Sequence, residues 1–409
     1  MSRRVPSLAL AAACLTGLVV GPATAASAAP PAPAAVTSTA PDAFYDVPTP
    51  LPPGRAGAVV RTRPAKVPLA GVLPFTATTV MYHSRTVDGR DQVVTGTVFT
   101  PQAPGAGTTL LTLAPGTQGL GPQCAPSKQF VAGTEYETAA VAAGLAQGWT
   151  VAVTDYDGYT NGGRPTYTTG PAMAHAVLDM ARAASQVPGS RVTPKAPVLL
   201  QGYSQGGGGA GWAASLARSY APELAIRAAA VGGVPADLQA VAESLDGGPT
   251  AYFGLLGIVG LDAAYPGVFR LDQRLNERGK QVVAGLRSEC VGGPTTLTTA
   301  GTSIADYTTD GRTLDELARD PRIARVLADN TLGTRPAPTV PTYQSHAALD
   351  EIVAPAQAVR LHRTWCAEGV TTRLDLLPAE HVTGGLESTA PFTAWLSAVA
   401  AGRPVLTGC

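Results

Sequence analysis

Charge is scarce in this chain. Asp, Glu, Lys and Arg make up 14% of its 409 residues, and 29 bases balance 29 acids to a formal net charge of zero. That balance gives no electrostatic case for binding nucleic acid or an acidic membrane surface. Histidine occurs at five positions and cysteine at five, with no C-x-x-C and no Cys/His cluster in the sequence, so no zinc site is expected. Beyond the first thirty residues no apolar run is long enough to span a bilayer. No internal repeat is visible, and no feature points to an obligate protein partner. What the chain does have is apolar material (45%), 46 Gly and 36 Pro. This composition supports a large core with many turns and excludes bulk disorder. The length suits one large domain with an insertion, or two domains.

The N-terminus reads as a secretory signal peptide over residues 1–29. "MSRR" is the positive n-region, "VPSLALAAACLTGLVV" the apolar h-region, and "PATAASAAP" offers small-residue cleavage sites from Ala25 to Ala29. Residues 30–44, rich in Pro, Ala and Thr, read as a flexible mature N-terminus. Cleavage removes Cys14 and leaves Cys124, Cys290, Cys366 and Cys409. In an oxidising compartment these make two disulfides, with three pairings open.

Two alternating segments joined by Asp88-Gly89, "TATTVMYHSRTV" and "DQVVTGTVFTP", predict an antiparallel hairpin. Short apolar strands ("TTLLTLAPG", "TVAVTDYDGY", "APVLLQGYS", "LAIRAAAVGGV") then alternate with helices at βαβ spacing. This predicts a mostly parallel central sheet with helices on both faces. Residues 236–335 break the rhythm with helical pieces and no convincing strand, so they read as an inserted helical cap between core segments 45–235 and 336–409. The most apolar piece, "AYFGLLGIVGLDAAY", suits either the packed centre of the cap or a lid and acyl tunnel at a lipid surface.

The stretch "QGYSQGGGGAGWAA" (201–214) contains both G-x-S-x-G and G-x-G-x-x-G. A dinucleotide fingerprint needs its first Gly at the strand-to-helix turn and an acid at the end of the next strand. Here that strand ends "AVGGVP". A phosphate-binding loop lacks its Lys-Ser/Thr. Gly202-Tyr203-Ser204-Gln205-Gly206 instead lies between an apolar strand and a helix, the context a nucleophile elbow requires. Ser204 is then the nucleophile, on a strained backbone that Gly202 and Gly206 leave room for. The N–H of Gln205 is an oxyanion donor. Gly207 to Gly209 cost helix stability, which points to tight packing of the first turn. Of the histidines after Ser204, His381 in "PAEHVTGG" is expected on a late Gly-rich loop as general base. Asp350 orients it, with Glu351 as runner-up. Acyl transfer by this set requires no metal or cofactor.

The stretches "DAFYDVP", "MYHSRTVDGRDQVVTGTVFTP", "CAPS" (124–127), "GYSQGG", "SYAPEL", "GGVPADL", "HAALDEIVAP" and "AEHVTG" resemble, in that order, the secretory lipase family of yeasts and actinobacteria. The resemblance covers nearly the whole mature chain. It implies an α/β-hydrolase fold with a helical cap, hydrolysis of carboxylesters such as acylglycerols, and a triad on Ser204, Asp350 and His381. It implies pairings Cys124–Cys290 and Cys366–Cys409. It also implies a second oxyanion donor in the loop "APGTQGLGPQCAPS", at Gln118, where the family's yeast members carry Asp and many relatives Thr. Thr117 is the one-residue alternative. The expected partner is a small-molecule or lipid ester, met in part at a lipid interface.

Overall fold

A computed structural model describes residues 42–409 apart from 70, 73, 104 and 335. The signal-peptide expectation therefore lies outside the described residues, as does most of the expected flexible segment. Its last residues do not hang free. Asp42 is held by both terminal nitrogens of Arg63 at 3.0 and 2.8 Å. Tyr45 is buried, and its hydroxyl lies 2.8 Å from Ser127 Oγ.

Nine strands form one sheet in the order β1-β2-β3-β5-β4-β6-β7-β8-β9. They are β1 (Val59–Ala65), β2 (Phe75–Arg85), β3 (Asp91–Pro101), β4 (Leu110–Ala114), β5 (Thr150–Thr154), β6 (Pro197–Tyr203), β7 (Ala225–Gly232), β8 (Thr342–Ala347) and β9 (Thr372–Leu377). The expected hairpin is β2–β3, paired in register from Phe75↔Pro101 to Arg85↔Asp91. β1, antiparallel to β2, was not expected. Arg61, Arg63 and Pro64 hide its alternation, and an edge strand tolerates all three. From β5 to β9 neighbouring strands are parallel. β4 and β5 are buried at every position, as strands covered on both faces must be.

One apolar layer, centred on Val177, Leu200, Trp212 and Val231, covers one sheet face. A second, with Phe99, Leu113, Val151 and Trp395, covers the other. Between β7 and β8 the described residues hold helices and no strand. Leu238–Leu245, Ala251–Ala264, Glu277–Leu286 and Pro321–Asp329 are the longer ones. These helices have their own apolar cluster around Tyr252, Leu256, Leu286 and Ile323. Cys124 is bonded to Cys290 and Cys366 to Cys409, with Cα separations of 5.3 and 5.6 Å. His362 Nε2 lies 3.6 Å from Cys366 Sγ, a His/Cys grouping that the sequence did not reveal, though both sulfurs are taken by the disulfide. No described helix is long and apolar enough to cross a membrane.

Candidate active site

β6 ends at Tyr203 and the helix Gln205–Tyr220 begins two residues later, leaving Ser204 as the whole turn. Its φ is 58° and ψ −125°, a region that non-glycine residues enter at a cost of about 1–3 kcal/mol. The Ser204 N–H is anchored on the Gly232 carbonyl at 2.9 Å, while Ser204 remains partly exposed. The flanking glycines are sterically required. A Cβ on Gly202 would lie 2.2 Å from the Gly206 carbonyl oxygen, and one on Gly206 2.1 Å from that of Ala114. The glycine run is less uniform than the sequence suggested. A Cβ on Gly207 would stand 2.0 Å from the Gly232 carbonyl oxygen, whereas one on Gly208 would meet only Met173 and Pro235 at 3.6 Å. Tight packing therefore accounts for Gly207 and not for Gly208.

His381 is not on a loop. It is the first residue of the helix His381–Ala400, which Glu380 caps by accepting the Val382 and Thr383 N–H groups at 2.8 Å. Gly384 and Gly385, which made the segment look like a loop, are helical. They give room to the Tyr203 side chain: a Cβ on Gly384 would stand 2.8 Å from its hydroxyl and from the Ala347 Cβ, and one on Gly385 3.0 Å from its ring. Tyr203 thereby seats the helix that carries His381, at a ring-centroid distance of 5.3 Å from the imidazole.

The imidazole bridges two groups far apart in sequence. His381 Nε2 is 2.9 Å from Ser204 Oγ, and Nδ1 is 2.7 Å from Asp350 Oδ2. Both His381 and Asp350 are buried. The other Asp350 oxygen accepts the N–H groups of Ile352 (3.0 Å) and Val353 (2.7 Å), so the carboxylate is aimed by its own turn. Glu351, the runner-up acid, instead accepts the backbone N–H of His381 at 3.1 Å. His346 precedes both acids in the chain. It does not reach Ser204, but its Nε2 lies 2.8 Å from the Val353 carbonyl and 3.3 Å from Asp350 Oδ2. Burial pushes its pKa down, which favours the neutral ring, with Nε2 hydrogen-bonded to the Val353 carbonyl. Its signal in the sequence was the four-residue spacing to Asp350.

The loop after β4 starts beside the elbow, since Ala114 pairs with Gly202. Its Gln118 side chain is buried and faces away from bulk water. Nε2 donates to Glu135 Oε1 at 3.1 Å, and Oε1 accepts from Gln129 at 2.6 Å. The Gln118 and Thr117 N–H groups have no acceptor among the described residues. The same holds for Gln205, the first residue of its helix, so the N–H groups expected to serve as donors are available. Ser204 and Gln205 open onto an apolar cavity lined by Tyr167, Leu238, Ile258, Leu317 and residues from neighbouring helices between β7 and β8.

A mostly parallel sheet, an elbow serine with positive φ, and a histidine and aspartate from the last two βα connections are the features of an α/β-hydrolase. The sequence model of the family described as "Secretory lipase" matches residues 125–408. The chain belongs to the secretory lipase family and is a carboxylester hydrolase. It is similar to lipase A of Moesziomyces aphidis, at 29% identity over 86% of this chain and 78% of the relative. It is equally similar to a Mycobacterium tuberculosis protein named a probable inactive lipase, at 29% over 89% of this chain and 83% of the relative. Among solved structures, Candida antarctica lipase A in its closed state superposes with a TM-score of 0.80. The identity is 25%, over 90% of this chain and 87% of that one. The rice cell-wall-degrading esterase LipA of Xanthomonas oryzae shares the fold, with a TM-score of 0.69 and 17% identity over 86% of this chain and 100% of that one.

Proposed function

We propose that this chain is a triacylglycerol lipase or esterase, exported by cleavage of residues 1–29, that works through an acyl-enzyme on Ser204. His381 takes the Ser204 proton as Oγ attacks the ester carbonyl, and Asp350 holds the imidazolium that forms. The N–H groups of Gln205 and Gln118 stabilise the oxyanion. His381 then protonates the leaving alcohol and activates water for deacylation. Residues 236–335 act as a cap whose apolar cavity takes the acyl chain. The observation that carries the reading is the continuous Ser204–His381–Asp350 hydrogen-bonded path at 2.9 and 2.7 Å. The names of the relatives, several of them secreted triacylglycerol lipases of Malassezia, support the substrate class. The test is hydrolysis of an ester series of increasing chain length by wild type and Ser204→Ala. Activity retained in the variant refutes the nucleophile. Strong preference for short soluble esters favours esterase over lipase.

A catalytically silent reading has one observation in its favour, the name of the mycobacterial relative. A fluorophosphonate probe separates the two readings, because it labels Ser204 only if the serine is activated.

A further inference from the structure

Glu135, Tyr136 and Glu137 send all three side chains to the loop beside the elbow. Glu137 Oε1 accepts the Gly116 N–H at 2.7 Å. Tyr136 OH donates to the Thr117 carbonyl at 2.8 Å. Glu135 Oε1 accepts from the Gln118 side-chain amide at 3.1 Å. The order is antiparallel, residue for residue: 137 to 116, 136 to 117, 135 to 118. The other Glu135 oxygen accepts the Glu137 N–H, which ties the two acids together. A Cβ on Gly116 would stand 2.7 Å from Tyr136 OH and 3.5 Å from the Tyr203 carbonyl oxygen, so the loop is wedged between these side chains and the elbow.

Two features set this apart from ordinary loop anchoring. Neither acid has an ion-pair partner among the described residues, although Glu135 is buried and Glu137 partly so. Placing two carboxyls together away from water costs stability, so their retention here points to a purpose other than stability. Four of the five carbonyls from Pro115 to Gly119 are also turned toward protein donors. Pro115 O accepts from Tyr156 OH at 2.9 Å, Thr117 O from Tyr136, Gln118 O from Val291 N at 3.0 Å, and Gly119 O from Tyr159 OH. With those four carbonyls held by donors, the Thr117 and Gln118 N–H groups are left without an acceptor among the described residues.

We propose that Glu135, Tyr136 and Glu137 are positioning residues that fix the backbone of residues 116–118, so that the free N–H groups of Thr117 and Gln118 face the oxyanion formed at Ser204. This rests on the oxyanion assignment made above. Their contribution is made in the transition state, because the substrate's uncharged carbonyl draws little on those donors.

The test uses Glu137→Ala, Glu137→Gln and Tyr136→Phe in the full mature chain. Each is assayed with an ester and with a trifluoromethyl ketone of the same acyl chain, whose adduct on Ser204 carries an oxyanion. Glu137→Ala lowers kcat about tenfold or more with KM within about twofold, and weakens ketone binding in parallel. Glu137→Gln keeps an acceptor for the Gly116 N–H and recovers most of both. Tyr136 is half exposed, so Tyr136→Phe folds even if Glu137→Ala does not, and it lowers kcat and ketone affinity by about threefold. Unchanged kcat and ketone affinity in the folded variants overturn the proposal. Wild type that binds the ketone no better than the matching alcohol overturns the oxyanion assignment itself.

Discussion

Alanine at Gly207 and alanine at Gly208 should move stability in opposite directions. Both glycines sit in the first turn of the helix after Ser204, where alanine is worth up to about 1 kcal/mol over glycine. At Gly208 nothing opposes that gain, because the new carbon meets Met173 and Pro235 at 3.6 Å, an ordinary van der Waals distance. At Gly207 the carbon would stand 2.0 Å from the Gly232 carbonyl oxygen. That oxygen belongs to the end of β7 and already accepts the Ser204 N–H, so it cannot yield cheaply. Relief requires the helix to move off the sheet, at an overpacking cost of about 1–3 kcal/mol or more. Urea unfolding should place the Gly208→Ala midpoint above wild type and the Gly207→Ala midpoint below it, with equal slopes. Ester hydrolysis should survive the first change and fall with the second, because the same displacement moves Ser204 and the Gln205 N–H. A destabilised Gly208→Ala, or a Gly207→Ala as stable as it, would refute the reasoning.

Three other outcomes are expected. Asp350→Asn removes the acceptor of the His381 Nδ1 proton while keeping the shape, and kcat should fall by about 10⁴ in steady-state assays. Burial raises Glu137 from 4.5 to about 7, so the folded chain binds this proton more tightly than the unfolded one. The stability it confers is complete below pH 4.5 and is lost as pH rises through about 7; Glu137→Gln should flatten that part of a melting-temperature profile. The Cys124–Cys290 bond spans 166 residues and Cys366–Cys409 spans 43. Replacing the first pair by serine should therefore cost more in urea unfolding, within a range of about 2–5 kcal/mol, and the reverse order would contradict the loop-entropy argument.

The parts of the site legible in the sequence were those fixed by local sterics. A serine between an apolar strand and a helix, with glycines two residues to either side, has few structural solutions. The order serine, acid, histidine then left few candidates among five histidines. Misreadings arose where a residue's environment comes from distant segments. Gly384 and Gly385 looked like loop residues because the Tyr203 side chain that both face lies some 180 positions earlier. His346 and Glu351 could not be ranked by spacing, since which atom of His381 or Asp350 each meets depends on how the β8 connection folds back.

The sequence by itself therefore determined the strand–turn–helix elbow at Ser204, the β2–β3 hairpin and the alternation that builds a parallel sheet, because these follow from periodicity and from the space a Cβ needs. Tertiary structure alone decided that His381 opens a helix, that Gly207 is required where Gly208 is not, and that Glu135, Tyr136 and Glu137 meet the loop at 116–118. Each of those depends on atoms brought within about 3 Å by packing between separate elements, and a contact of that kind leaves no period in the chain.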